Sequence, residues 1–306
     1  MDLTLTEDQA LIQRTAREFL VGRAGDDVWK EITDLGWQGL PFGDIGDFGD
    51  FGFLEACLLI EELGRARVTT PFVSTVACCG FAVDASLRQE IADGAVFAYV
   101  PFSDALVPWA AEADRLLVAT DAGVVVADPA QVTCTPVSVI GPAPTCRVRF
   151  TDVAGPTLTA TRASIEAFGA AATCAEMVGG AQAVLDATVE YARQREQFGK
   201  PIGAFQAVQH HCADMAIDVL SARFIAYEAS WRLGEGHDAA IEVSVAKSWV
   251  SDAYERVCAL GHQVHGAIGF TAEHDLHHHT RHAMASAIAF GDADTHTDRI
   301  ATHLGL

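Results

Sequence analysis

At 306 residues, half of them hydrophobic and 20% charged, the chain is long enough to bury a sizeable core and suits about one to three compact units. Its 41 acidic side chains outnumber 20 Lys and Arg, and a formal net charge of −21 repels phosphate backbones and anionic lipid, which excludes nucleic acid as a partner. No apolar run approaches the ~20 residues that span a bilayer, and the start MDLTLTEDQ has neither a basic n-region nor an apolar h-region, so a cytoplasmic protein without membrane insertion is expected.

In chain order, the first segment is helical in pattern. Thr6 and Gln9 have capping-box spacing, and Leu11, Ala16, Phe19 and Leu20 supply an apolar face. A second helix ends at Leu35-Gly36-Trp37. Glycines 43, 46, 49 and 52 then punctuate an acidic loop, and Phe53 to Leu63 returns to helical spacing before Gly64. Residues 1–90 therefore read as an N-terminal helical domain. From Ala95 to Val153 the period becomes that of strands, in FAYV, RLLVAT, GVVVAD, QVTCTPV and CRVRF, so a small antiparallel β domain is expected over 91–155.

Beyond Pro156 the pattern is again helical and the helices are long, which predicts a C-terminal four-helix bundle over 156–306. One helix uses Met177, Ala181, Val184 and Thr188. The next carries two apolar stripes, Val208/Cys212/Met215/Val219 and Ile217/Leu220/Phe224/Tyr227/Trp231, and is expected to be buried on both faces. Gly234 and Gly236 end it, and a further stripe from Val243 to Val264 follows Asp238 as its cap. The eight cysteines form no C-x-x-C pair and read as free, buried thiols.

Two runs carry chemistry. In REQFGKPIGAFQAVQHHCADM, Arg195 offers a planar fork of donors, Phe198 a flat apolar surface, Gly199 and Gly203 close backbone approach, and Gln206 an amide at a helix start. That set suits a dinucleotide pyrophosphate, although taken alone it also reads as an ordinary turn between helices. In QVHGAIGF, Gln263 and Gly266 again combine an amide with small residues that let backbone N–H groups approach an anion; alone, it reads equally as a glycine-containing C-cap.

Together the two runs resemble the acyl-CoA dehydrogenase family. The pattern R-x-x-F-G-x-x-I-x-x-F-Q-x-x-Q-x-x-x-A-D-M is matched from Arg195 to Met215, and Q-x-H-G-G-x-G-F is matched from Gln263 to Phe270 except that Ala267 replaces the second glycine. Leu35 to Trp37, LEACLLIEELGRARVTTPF, AEADRLLV and VRFTDV are similar more weakly. The resemblance implies the order helical domain, β domain, helical bundle, and FAD as cofactor. It gives Arg195, Phe198, Gln206, Gln263, Gly266 and Ala267 the role of reaching across a dimer interface to a flavin bound mainly by the neighbour.

The chain departs from the family where the reaction needs a carboxylate over the substrate. Phe290, in IAFGD, stands where the family places its glutamate, and Gly169 occupies the alternative position on the preceding helix. Glu176 lies seven residues on, ~10 Å along the axis, out of reach of that point. Asp292 faces elsewhere, and the segments that cradle the flavin ring find no counterpart between Phe97 and Asp121. No catalytic residue is assigned.

The resemblance thus implies the smaller, base-lacking subunit of a heterotetrameric, steroid-type acyl-CoA dehydrogenase (α2β2). Its partners would be a homologous catalytic subunit, a bulky acyl-CoA from a steroid side chain or ring, and an electron-transfer acceptor. Two alternatives stay open: a homomeric enzyme that uses Asp292 or Glu273 as an atypical base, and a flavin-free scaffold. The histidines 274, 277, 278, 279 and 282 have some i, i+4 spacings suited to zinc, but with no H-E-x-x-H and no nearby cysteine no metal is assigned.

Overall fold

The computed structural model describes residues 4–23, 27–43 and 51–306, so Gly46 and Gly49 of the acidic loop lie outside the described residues. Helix α1 (Glu7–Leu20) starts at the capping box: Gln9 N donates to Thr6 Oγ1 at 3.2 Å and Thr6 N to Gln9 Oε1 at 3.0 Å. Its Ala16 and Leu20 are buried, whereas Leu11 of the expected apolar face is 49% exposed. Helix α2 (Asp27–Asp34) follows, and Gly36 makes the exit turn at a φ of 71°.

Helix α3 (Phe53–Ala66) is buried on nearly every side, acids included. Its carboxylates are tolerated because each is paired. Glu62 receives Arg17 at 2.9 and 2.7 Å, while Glu61 receives the Tyr227 hydroxyl at 2.6 Å and Arg223 at 3.1 Å. α3 packs tightly against the longest helix, α5 (Arg162–Gln194), because glycines stand at the crossing. A Cβ at Gly64 would sit 2.9 Å from Glu176 C and closer still to its carbonyl oxygen, and one at Gly179 would collide with Glu61 O.

Helical structure continues through a tight π-type turn (Val73–Cys79) into α4 (Ala85–Ala92), capped by Asp84, and strands follow. One three-stranded sheet orders β1 (Phe97–Val100), β3 (Arg115–Thr120) and β4 (Gly123–Ala127) as β1-β3-β4. The other orders β2 (Ala105–Pro108), β6 (Thr145–Arg149) and β5 (Thr133–Pro136) as β2-β6-β5.

The expectation of purely antiparallel pairing needs one correction, since β1 and β3 run parallel. β2, a strand absent from the expected set, leaves the first sheet to pair with β6, so the chain crosses over before β3 returns beside β1. Alternating apolar residues such as Ala98, Val118 and Val148 form a small second core between these sheets.

The bundle is completed by α6 (Gln206–Gly234), α7 (Ala240–His265) and α8 (Leu276–Ile288), with α9 (Ala293–His303) against α7. Along α7, Val243, Ala246, Val250, Ala253 and Val257 are all buried, as the stripe predicts. On α6 only one face is buried: Met215, Val219 and Ala222 pack inward, whereas Ile217, Leu220 and Phe224 are 63%, 51% and 43% exposed. The expectation of burial on both faces is corrected over this stretch: α5 and α7 cover the Met215 face, and of the second stripe Tyr227 is buried, bonded to Glu61 of α3, while Ile217, Leu220 and Phe224 stay exposed. All eight cysteines are free, with Cys134 and Cys212 half-buried and the rest buried. Among the described residues no helix is long and apolar enough to cross a membrane.

Candidate functional site

The end of α5, the start of α6 and the end of α7 meet at one end of the bundle. Tyr191 stacks on His265 with centroids 4.4 Å apart, and a Cβ at Gly203 would touch Ala192 O at 3.0 Å. Arg195 terminates α5, its N–H donating to Tyr191 O at 2.8 Å and its own carbonyl accepting Ile202 N at 2.8 Å. A two-residue hairpin, β7 (Glu196–Gln197) to β8 (Lys200–Pro201), follows, with Phe198 and Gly199 at φ of 53° and 78°. Two consecutive left-handed residues make the primed turn that a tight hairpin needs. A phenylalanine there, 93% exposed, is held at a conformational cost.

Gln206 opens α6, Gln263 lies on the last turn of α7, and Gly266 with Ala267 starts the following 3-10 turn, all exposed. The side chains of Arg195, Gln206 and Gln263 have no hydrogen-bond or ion-pair partner among the described residues, and a Cβ at Gly199 or Gly266 would meet nothing within 4 Å. One guanidinium and two carboxamides left unpaired around open backbone fit the pyrophosphate of a dinucleotide such as FAD.

A second feature lies where α3, the sheets, α5 and α8 meet: a cavity of about 910 Å³. Its floor is a polar stripe along α5 (Arg162, Glu166, Thr173 and Glu176, stepping by three, four and seven) facing His278, His282 and Ser286 of α8. Its roof is apolar and aromatic, with Tyr99, Phe102, Leu106 and Trp109 from the strands and loops. Tyr99, Phe102, Leu106 and Trp109, from the stretch between Phe97 and Asp121, all line this cavity. Although the net charge is −21, four basic side chains, Arg67, Arg162, Arg281 and Arg299, line the cavity.

The two positions at which the resemblance seeks a base lie against each other, and Phe290 lines this cavity. A Cβ on Gly169 would sit 2.9 Å from Phe290 Cδ1 and closer to Cε1 and Cζ, so the Phe290 ring lies directly against Gly169. Phe290 is held at a φ of 58°, its carbonyl accepting from the His296 ring at 3.1 Å. Buried Lys247 fixes the preceding helix end, donating to Ala287 O at 2.8 Å and Ser251 Oγ at 3.1 Å, and its burial pushes the ammonium down to about 8.

Asp292 is an N-cap, accepting from Thr295 N at 2.8 Å and Thr295 Oγ1 at 2.6 Å; that bonding holds its carboxyl below the ordinary range. Neither Asp292 nor exposed Glu273 lines the cavity.

What sequence reasoning missed is a network on the cavity floor. Glu176 Oε2 is 3.3 Å from His282 Nε2, and the Tyr254 hydroxyl lies 3.4 Å from His282 Nδ1 and 3.2 Å from His279 Nδ1. One ordering of protons satisfies every atom: His282 donates to Glu176 and to Tyr254 O, and Tyr254 donates to His279. Burial alone would lower the His282 pKa, but the charge and hydrogen bond of Glu176 outweigh it and hold it above its ordinary value. Burial, then the Arg67 charge, pushes His279 down to about 3, so it stays a neutral acceptor.

The histidine run is thus divided among separate partners. His274 packs edge-on to His265, and His277 bonds the His274 carbonyl at 2.7 Å. Among the described residues no group of three or more His, Cys, Asp or Glu is arranged to hold a metal.

Comparison with known proteins bears on the family and the fold. A family model described as "Acyl-CoA dehydrogenase, C-terminal domain" matches residues 162–305. The acyl-CoA dehydrogenase IpdE2 of Mycolicibacterium smegmatis is 30% identical over 246 residues, covering 78% of this chain and 74% of IpdE2. FadE34 of Mycobacterium tuberculosis is 32% identical over 289 residues, or 84% of this chain, which spans 40% of FadE34's length. Among solved structures, the Tcur3481–Tcur3483 steroid ACAD superimposes with a TM-score of 0.89 at 22% identity, covering 99% of both chains.

Proposed function

Because the chain belongs to the acyl-CoA dehydrogenase family, we propose that it is a subunit of an FAD-dependent acyl-CoA dehydrogenase that holds part of a flavin shared with a homologous catalytic partner. The observation that carries this reading is the contact between Phe290 and Gly169. At both positions where a carboxylate would reach the α-carbon of a thioester, this chain presents a hydrocarbon edge or nothing, so proton abstraction falls to the partner.

FAD, when bound, supplies the hydride acceptor for α,β-dehydrogenation. The contribution of this chain is to bind and orient. Arg195 meets pyrophosphate charge, Gln206 and Gln263 donate amide hydrogens, Phe198 covers an apolar face, and the backbone at Gly266 and Ala267 approaches closely. Their exposure, and the lack of side-chain hydrogen-bond partners for Arg195, Gln206 and Gln263 among the described residues, support a role across an interface.

The name of the Tcur3481–Tcur3483 steroid ACAD, which joins two proteins, supports a two-chain assembly and a bulky steroid-derived acyl-CoA; the α2β2 stoichiometry and the electron-transfer acceptor are proposed on the sequence resemblance. The cytoplasm is proposed as its compartment on the sequence reading. A homomeric enzyme based on Asp292 or Glu273 is disfavoured, since the first caps α9 and neither lines the cavity.

The test is co-expression with a homologous dehydrogenase that has the glutamate, followed by flavin counting and turnover. One flavin per heterodimer, with turnover lost when the partner's glutamate is changed to glutamine, is expected. One flavin per chain and full turnover from the isolated protein would refute the proposal.

A further inference from the structure

The outer face of α6 carries an exposed seam. Gln206, His210, Ala213, Ile217, Leu220 and Phe224 step alternately by four and three residues, the spacing with which one helix packs along another, and all six are exposed. The middle of the seam is apolar: Ile217, Leu220 and Phe224 are open to solvent, while Met215, Val219 and Ala222 of the same helix face the bundle.

We propose that this seam docks a second copy of the chain, two α6 helices packing antiparallel across a two-fold axis that passes between Ile217 and Leu220. The contact itself is independent of the flavin-gripping role. Only its place, as the join between the two copies in an α2β2 assembly, rests on the proposed function.

Three observations select a copy of this chain as the occupant. The seam is self-complementary, as a two-fold interface must be. Turned end to end, it sets Ile217 opposite Leu220 and the methyl of Ala213 opposite the Phe224 ring, so small meets large. The flanking charges also agree. His210 and Glu228 lie about five turns apart and share one side of α6, and an antiparallel pair sets like sides together, so His210 of each copy comes beside Glu228 of the other. His210 has no side-chain partner among the described residues, and Glu228 accepts Arg232 at 3.2 Å through Oε1 alone.

Finally, two copies of net charge −21 repel each other except where acids are few, and the same charge repels anionic lipid. From Gln206 to Phe224 the acids of α6 are Asp214, on the flank of the seam, and Asp218, which accepts Arg256 at 2.9 Å. Helices interlocked in this way cross at about 20° and separate toward their ends. Gln206, ~18 Å along the helix from the axis, is thereby left clear of the contact for its flavin-facing role.

The test is sedimentation equilibrium of the purified full chain, for which a dimer is expected. Ile217→Glu and Leu220→Lys, at exposed positions, should each leave far-UV circular dichroism unchanged and weaken association about a hundredfold or more, because each change acts twice across the axis. Mixing the two variants, one of them tagged, should recover a dimer of one chain each, since the antiparallel register sets the new carboxylate opposite the new ammonium group.

A chain that stays monomeric at every concentration, a dimer indifferent to both substitutions, or variants that fail to recover association on mixing would each overturn the proposal. Substitutions that leave the isolated chain unchanged yet block assembly with a homologous dehydrogenase would give the seam to that partner and overturn it too. The mass readouts need neither flavin nor turnover, so their failure is distinct from failure of the subunit assignment.

Discussion

The contact between Gly169 and Phe290 makes a quantitative prediction. Gly169→Ala adds a methyl group where the Phe290 ring already lies, with Cδ1 2.9 Å away and two ring atoms nearer. The ring has little freedom to yield, because its backbone is pinned at a φ of 58° between the Lys247-tethered end of α8 and the Asp292 cap of α9. Overpacking of this kind costs about 1–3 kcal/mol, while alanine in a helix interior gains about 1 kcal/mol over glycine.

Gly169→Ala should therefore destabilise the protein by about 0–2 kcal/mol with Phe290 present. In a Phe290→Ala background the same change should stabilise by about 1 kcal/mol, a coupling of about 1–3 kcal/mol. Alanine is the right partner substitution, since glycine at 290 would also relieve the left-handed backbone and confound the cycle. Urea unfolding of the four proteins measures it. A coupling under about 0.5 kcal/mol would show that the ring does not occupy the face where the base is sought, and the reasoning for a base-lacking chain would fail.

Buried histidines set an acid limit. His279 is held at about 3 and His296 at about 4, each with burial as the leading cause, so the folded protein keeps both neutral while the unfolded chain protonates them below ~6.5. Stability should fall by about 2 kcal/mol per residue by pH 5, and a melting temperature flat between pH 7 and 5 would contradict it. His282, raised by Glu176, has the opposite sign: its contribution is complete below ~6.5 and is lost as pH rises through its folded value, so it cannot be the source of acid loss.

Arg195→Ala should weaken flavin retention by the assembled enzyme about tenfold or more while the melting temperature of the isolated chain stays unchanged, because its guanidinium makes no hydrogen bond or ion pair among the described residues. Gly179→Ala drives a methyl group into Glu61 O at the α3–α5 crossing and should cost about 3 kcal/mol or more; denaturant unfolding within 1 kcal/mol of wild type would refute the close approach.

The residues that announce themselves in the sequence are those whose roles are local. The Thr6–Gln9 box, the buried stripe of α7 and the Arg195 hairpin are set by neighbours within a few positions, so spacing reveals them. The parallel β1–β3 pair was illegible because strand direction depends on where β2 goes in between, a contact between distant segments. The half-exposed second stripe of α6 looked like core because hydrophobic spacing reports an apolar face and not what covers it. Glu176 was set aside by counting along a single helix, and its partner His282 was weighed as a metal candidate.

By itself the sequence determined the order of helices, strands and helices, the polar cluster at the bundle end, and the missing carboxylate at 169 and 290. The first is a property of periodicity and the second of residue identity, while the third is what the resemblance to the family implies. Only the tertiary structure decided that the two vacant base positions meet at one aromatic ring, and that Glu176, Tyr254, His279 and His282 join across three helices beneath an enclosed cavity. Gly180 lets α7 approach α5 there, since a Cβ on it would sit 2.6 Å from Tyr254 Cζ and closer to the hydroxyl, and such an approach fixes distances that no count along one chain can supply.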